Sequence, residues 1–280
     1  MPSKYCIFNG ELVEAEKGCI SPYDRGFMLG DGVFDTMSAP KGVPFLFDEH
    51  MARLFDNMKK LEITLPYASK DLHGMISKLL DENGLAGTDS YVRTTVTRGI
   101  NAGGMFYPST TPTLVIIADR VPDNLDDVRD KGVTCIVSEV PKIVASPLNE
   151  IKSLNFMWSI LGMKAAHEAG ADECIFFNSD GLLAECCTSN IYIIKDKVIL
   201  TPPESAGLLP GVTRDYLIAL LGKSGITVQK RDITRDELLS ADEVFLTSSL
   251  RGVVPVSSIE GKSYATVYIR EIQNLYFNSL

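Results

Sequence analysis

Along residues 47–61 the apolar side chains Met51, Leu54, Phe55, Met58 and Leu61 recur every three or four positions. That spacing is the stripe of an amphipathic helix, and Asp48 stands where an N-cap would be. A second helix is predicted from Ser69, a candidate N-cap, to about Asn83, with Gly84 as its stop. Ahead of both, residues 4–19 read as short strands joined at Asn9-Gly10, a dipeptide suited to the positive φ of a tight hairpin turn. Residues 90–98 and 112–118 are rich in Thr, Val, Ile and Tyr, side chains that fit a pleated, half-buried surface, and are predicted strands.

The pattern changes at residues 119–129, which are polar, contain Pro122 and offer little to bury. This stretch is predicted to link two α/β halves: a small domain over 1–119, a linker over 120–129 and a large domain over 130–280. The second half opens with a strand near 133–137 and a helix from about 154 to 169. Short strands are expected around Ile175, Ile191 and Val198, with a turn at Ser179-Asp180-Gly181. A helix from Val212 to near Gly222, strands near Val228, 244–246 and 253–256, and a terminal helix complete the chain.

A chain of 280 residues, 45% hydrophobic, has enough apolar material for one large domain or two modest ones. Its formal net charge of −9 argues against a surface dedicated to nucleic acid but leaves small anionic ligands open. No apolar run approaches the roughly 20 residues that span a bilayer, and residues 1–10 lack the apolar core of a secretory signal, so a cytoplasmic location is expected. The six cysteines are scattered without CxxC or Cys/His metal spacing and read as reduced, mostly buried thiols. His50, His73 and His167 are too dispersed to suggest a metal site. Cys186-Cys187 as a nucleophile is disfavoured by the adjacent Glu185, since reactive thiols need an electropositive setting.

Four places could carry chemistry. At Gly211-Val212-Thr213-Arg214 a Pro-Gly turn feeds a helix, presenting free backbone N–H groups and a hydroxyl to an anion; a plain helix start is the simpler alternative. Arg53 follows the apolar stripe of its helix closely enough to point partly inward, where its fork suits phosphate, although most helix arginines are solvated. Glu185 ends a strand-like segment and would need a cationic partner if buried, a protonated pyridine nitrogen being one; an edge-strand glutamate is the ordinary case. Lys152 becomes nucleophilic if its surroundings lower its pKa, but local spacing does not set it apart from a surface lysine.

In order along the chain stand Asp24-Arg25-Gly26-Phe27, Gly30-Asp31-Gly32-Val33-Phe34, His50-Met51-Ala52-Arg53-Leu54 and Ile151-Lys152-Ser153-Leu154-Asn155. Ala184-Glu185, Leu209-Pro210-Gly211-Val212-Thr213-Arg214 and Pro255-Val256 follow. Together these segments resemble the class IV aminotransferases, the fold-type IV pyridoxal-phosphate (PLP) enzymes. The resemblance implies two α/β domains with PLP in the cleft between them, the larger domain binding the cofactor, and a homodimer. It implies that Lys152 holds PLP as a Schiff base and shuttles a proton, and that Glu185 partners the pyridine nitrogen. Arg53, the backbone N–H groups of Val212 and Thr213, and the hydroxyls of Thr213 and Ser249 then form the phosphate cup.

Within the family three activities compete. Tyr91-Val92-Arg93 resembles the carboxylate-binding segment of branched-chain enzymes. The Arg-x-His trap of D-amino acid enzymes is missing, since Gly103 and Met105 stand at its positions after Thr97-Arg98-Gly99. The overall length, the Lys152-Ser153-Leu154-Asn155 run and the His50 helix look closer to the D-amino acid enzymes. Glu185-Cys186-Cys187 and Ser248-Ser249-Leu250-Arg251-Gly252 resemble aminodeoxychorismate lyases. The expectation is a transaminase acting on an amino acid and a 2-oxo acid, with D-amino acids slightly favoured over branched-chain L-amino acids. The alternative is 4-amino-4-deoxychorismate lyase, releasing pyruvate and 4-aminobenzoate. Tyr91, Arg93, Ser249, Leu250 and Arg251 are the expected substrate binders.

Overall fold

A computed structural model describes residues 3–100, 111–144 and 146–280. Gly103 and Met105 lie outside the described residues. The chain divides into two compact α/β units, residues 1–122 with 151–155, and residues 123–150 with 156–280.

The first unit holds strands β1 (Tyr5–Phe8) and β2 (Glu11–Glu14), helix α1 (Arg25–Leu29), strand β3 (Gly32–Ala39), helices α2 (Phe47–Lys60) and α3 (Ser69–Glu82), and strands β4 (Ser90–Thr97) and β5 (Thr113–Arg120). The strands form one antiparallel sheet in the order β2-β1-β5-β4-β3. Asn9 and Gly10 take the positive φ expected of the hairpin. Alternation decides the faces of the sheet. Val33, Met37, Val92, Val96, Leu114 and Ile116 pack with Met51, Leu54, Met58, Ile76 and Leu79 of α2 and α3 into one core. Phe34, Thr36, Tyr91 and Arg93 alternate onto the opposite face.

Both predicted caps are displaced. The N-cap of α2 is Leu46, left-handed at φ 54 with no side-chain cap, so Asp48 lies inside the first turn. There its charge meets the positive end of the helix dipole instead. The N-cap of α3 is Ala68, whose N–H donates to the Asp71 carboxylate at 2.8 Å. Asp71 thus makes the return half of a capping box, to the N-cap's own N–H, and no side chain at the N-cap accepts from the first turn.

The second unit opens with helix α4 (Leu125–Lys131) and strand β6 (Val133–Val137), then helix α5 (Met157–Glu168) and strands β7 (Glu173–Phe177), β8 (Leu183–Cys186), β9 (Asn190–Lys195) and β10 (Val198–Thr201). Helix α6 (Val212–Lys223), strand β11 (Val228–Lys230), helix α7 (Arg235–Leu239), strands β12 (Glu243–Ser248), β13 (Gly252–Ile259) and β14 (Lys262–Ser263), and helix α8 (Val267–Phe277) follow. The strands form a mixed sheet ordered β11-β10-β9-β12-β13-β6-β7-β8, with β14 beside β13. Its core gathers Val133, Ile175, Ile191, Ile193, Val244, Leu246, Val254 and Val256.

The division differs from the expected 1–119, 120–129 and 130–280 in two places. Much of the anticipated linker is α4, a helix whose one buried residue is Leu125 and whose exposed positions carry Asp126, Asp127 and Lys131. Residues 151–155 join the first unit because their backbone extends the edge of β3. Phe34 N–H donates to Lys152 O at 3.0 Å, and Leu154 N–H donates to Gly32 O at 2.9 Å.

Candidate active site

Because Lys152 is bonded to β3, it belongs to the first unit's group of chemical residues. Its Nζ lies 4.7 Å from the centroid of the Phe34 ring. The Arg93 guanidinium packs over the same ring at 3.7 Å, so one aromatic ring gathers two cations. Burial lowers the pKa of Arg93, against the pull of Tyr91 and Asp35. Tyr91 lies two positions along β4 and on the same face as Arg93; burial, then the charge of Asp119, raises its hydroxyl pKa.

On the opposite side of β3, Asp35 points toward α2. Its carboxylate is fully buried and takes the Arg53 fork through Nε and Nη2, each at 2.8 Å, with His50 Nδ1 at 2.7 Å. Burial works against its charge, yet Arg53 and His50 outweigh that and hold the carboxyl at about 2. Arg53 therefore points inward, as its position on the stripe suggested, and two of its three nitrogens are fixed by one carboxylate.

Glu185, on β8 of the second unit, forms an ion pair with Lys142 and accepts the Leu209 N–H at 3.0 Å. Its two oxygens offer about four acceptor sites, leaving room for another N–H donor. Helix α6 starts after the N-cap Gly211, which provides no side-chain cap. A Cβ at Gly211 would come within 2.0 Å of Asn190 Oδ1, so a larger residue there would force the Asn190 side chain to move. Val212 and Thr213 are buried at the helix start. At the end of β12 the Thr247 hydroxyl is buried with no hydrogen-bond partner among the described residues. Ser249, Leu250 and Arg251 form the turn from β12 into β13. Arg251 Nη2 donates to Glu173, to the Thr188 hydroxyl and to Ser189 Oγ, which commits that nitrogen to the protein itself.

The family model for amino-transferase class IV matches residues 32–259. The chain belongs to the class IV aminotransferases. It is 34% identical over 265 residues to a Methanocaldococcus jannaschii protein named as a branched-chain-amino-acid aminotransferase, covering 94% of this chain and 91% of that one. A D-alanine aminotransferase of Bacillus licheniformis is 32% identical, covering 92% and 89%. An aminodeoxychorismate lyase of Bacillus subtilis is 30% identical, covering 95% and 94%. Among solved structures, the branched-chain amino acid aminotransferase of Escherichia coli matches with a TM-score of 0.91 at 26% identity, covering 99% of this chain and 94% of that one.

Class IV aminotransferases are PLP enzymes, and the residues present fit that group. An amine stands on an aromatic face, a carboxylate keeps acceptor capacity, and the helix start of α6 is uncapped. Three residues in these clusters escaped the sequence reading. Asp35 left a signal, an acid inside the apolar run Val33-Phe34-Asp35-Thr36-Met37. Lys142 and Glu173 left none, because what marks them is the partner each meets across strands.

Proposed function

We propose that this chain is a PLP-dependent transaminase that moves an amino group between an amino acid, with D-amino acids slightly favoured over branched-chain L-amino acids, and a 2-oxo acid. The observation that carries this reading is Arg93. Its guanidinium and the Lys152 amine both pack against the Phe34 ring, and no acidic side chain is bonded to Arg93 among the described residues. A half-buried cation of that kind is stabilised by an incoming carboxylate, and amino and 2-oxo acids both bring one.

When bound, PLP supplies an electron-withdrawing ring that stabilises negative charge at the substrate Cα. Lys152 offers the amine that holds PLP and then carries the proton from Cα. Glu185, already paired with Lys142, would hold the protonated pyridine nitrogen through its remaining acceptor capacity. Arg53, the N–H groups of Val212 and Thr213, and the hydroxyls of Thr213 and Ser249 are the residues that would hold the phosphate. Arg93 and Tyr91 would orient the substrate carboxylate, and Ser249, Leu250 and Arg251 are the substrate binders assigned to the second unit. Arg251 contributes there mainly by fixing the turn, since its Nη2 already serves Glu173.

The second reading, aminodeoxychorismate lyase, rests on the likeness to the Bacillus subtilis lyase. D-Alanine, L-leucine and aminodeoxychorismate added in turn to the PLP-loaded protein separate the two. Loss of the bound-PLP absorbance with an amino acid, and its return with a 2-oxo acid, supports transamination and reveals handedness. Pyruvate released from aminodeoxychorismate alone, with the absorbance restored, supports the lyase.

The reading extends to a cytoplasmic homodimer. All six cysteines are free thiols, and no helix among the described residues is long and apolar enough to cross a membrane. Helix α5 exposes Met157, Trp158, Ile160 and Leu161, an apolar surface suited to a second copy. Light scattering at micromolar concentration tests this, and a monomeric mass removes the dimer.

A further inference from the structure

We propose that Asp35 is a positioning residue for the phosphate: it locks Arg53 into a fixed orientation before any ligand arrives, and so determines how tightly the phosphate of PLP is held. The inference rests on the assignment of Arg53 to the phosphate. An arginine on a helix surface samples many rotamers, and ordering it on binding weakens affinity. Here that ordering is built in. Both Asp35 oxygens are engaged, Oδ2 by Arg53 Nε at 2.8 Å, and Oδ1 by Arg53 Nη2 at 2.8 Å and His50 Nδ1 at 2.7 Å. The two-point fork fixes the plane of the guanidinium as well as its distance, which a single bond could not do.

The position of Asp35 in the strand adds a second element. Phe34 and Asp35 are neighbours on β3 and alternate to opposite faces. Phe34 carries Lys152 over its ring and bonds the Lys152 carbonyl through its own N–H at 3.0 Å. Two consecutive residues of one strand therefore hold the amine and the arginine, so the spacing between those groups is set by rigid backbone instead of by two flexible side chains. The strand is held in turn by its full pairing with β4, from Gly32 with Thr97 to Ala39 with Ser90.

A merely structural ion pair would stabilise the fold without caring which ligand binds. The two roles separate on the ratio of affinities for PLP and for pyridoxal, which lacks the phosphate, measured on the full-length protein by equilibrium dialysis. In Asp35→Asn the PLP affinity is expected to fall 10- to 100-fold while pyridoxal affinity stays within threefold. Asp35→Glu, which keeps the charge, is expected to recover most of the loss. In the Asp35→Asn/Arg53→Lys double variant the losses should not add, because both act through the same fork. If Arg53→Lys leaves the ratio unchanged, the phosphate assignment of Arg53 falls. If Arg53→Lys changes the ratio and Asp35→Asn does not, only the positioning role falls. Should Asp35→Asn fail to fold, the Arg53 Nε–H signal of the unaltered chain decides by NMR. A slowly exchanging signal without inorganic phosphate supports the lock, and a signal that appears only on adding inorganic phosphate overturns it.

Discussion

Replacing Arg251 with methionine would strand a carboxylate that has no route to solvent. The Glu173 side chain is fully buried, while Arg251 itself is 20% exposed. Without the guanidinium, Glu173 keeps the Thr188 hydroxyl at 2.7 Å and the Cys174 N–H at 3.3 Å, both neutral donors. Breaking a buried ion pair from one side costs about 3–5 kcal/mol, because the remaining charge is uncompensated. Methionine preserves much of the stem, so packing loss is minor, and the neutral donors offset roughly 1 kcal/mol. The expected net loss is therefore about 2–4 kcal/mol, a fall in Tm of roughly 4–16 °C for a chain of this size. Calorimetry on the full-length protein reads this directly. Adding Glu173→Gln to the same chain removes the stranded charge and should return stability to within about 1.5 kcal/mol of the parent. An Arg251→Met variant as stable as the parent, or a double variant no better than the single one, refutes the buried-charge reasoning.

Arg93→Ala is expected to raise KM for the amino acid and the 2-oxo acid about 10- to 100-fold, the loss of one charge-assisted bond, with a smaller change in kcat; steady-state kinetics with an unchanged KM for every substrate removes its assigned role. Asp35, held at about 2 against an ordinary 3.8, contributes stability that is fully present above about pH 4 and is lost as pH falls through 2. Urea unfolding at pH 6 and pH 2 should show that acid loss shrink by about 2 kcal/mol in Asp35→Asn. Of the six cysteines only Cys19 is exposed, so a thiol reagent should label one site quickly and the other five only on unfolding. Gly99→Ala should destabilise the fold strongly, because φ is +83° there and the new Cβ would lie 1.8 Å from the Thr111 carbonyl oxygen; a Tm within 2 °C of the parent, on the order of 1 kcal/mol, contradicts this.

Elements whose fate depends on local pattern were legible before the structure. The apolar stripe of α2, the Asn9-Gly10 hairpin and the strand at Val133–Val137 all follow from spacing and turn chemistry. Charged clusters were harder to read. Arg53 could be suspected of pointing inward from its place on the stripe, but its partner lies 18 positions away on β3. Glu173 and Arg251 are 78 apart and meet only because β7 and the β12–β13 turn come together in the folded sheet. The two units divide after Pro122, inside the expected linker, but the helix that fills much of that stretch was not legible. Composition reported a polar stretch, but α4 is a helix with its polar face outward. Likewise, Lys152, Ser153 and Leu154 meet β3 across a large sequence gap, which no local signal records.

The most direct test of the central claim is reduction of the PLP-loaded protein with borohydride, followed by digestion and mass spectrometry of the labelled peptide. The expected result is a phosphopyridoxyl group on Lys152 and on no other lysine, absent from Lys152→Ala. A label on a different lysine, or a Lys152→Ala protein that takes up the same label, contradicts the assignment on which the catalytic reading stands.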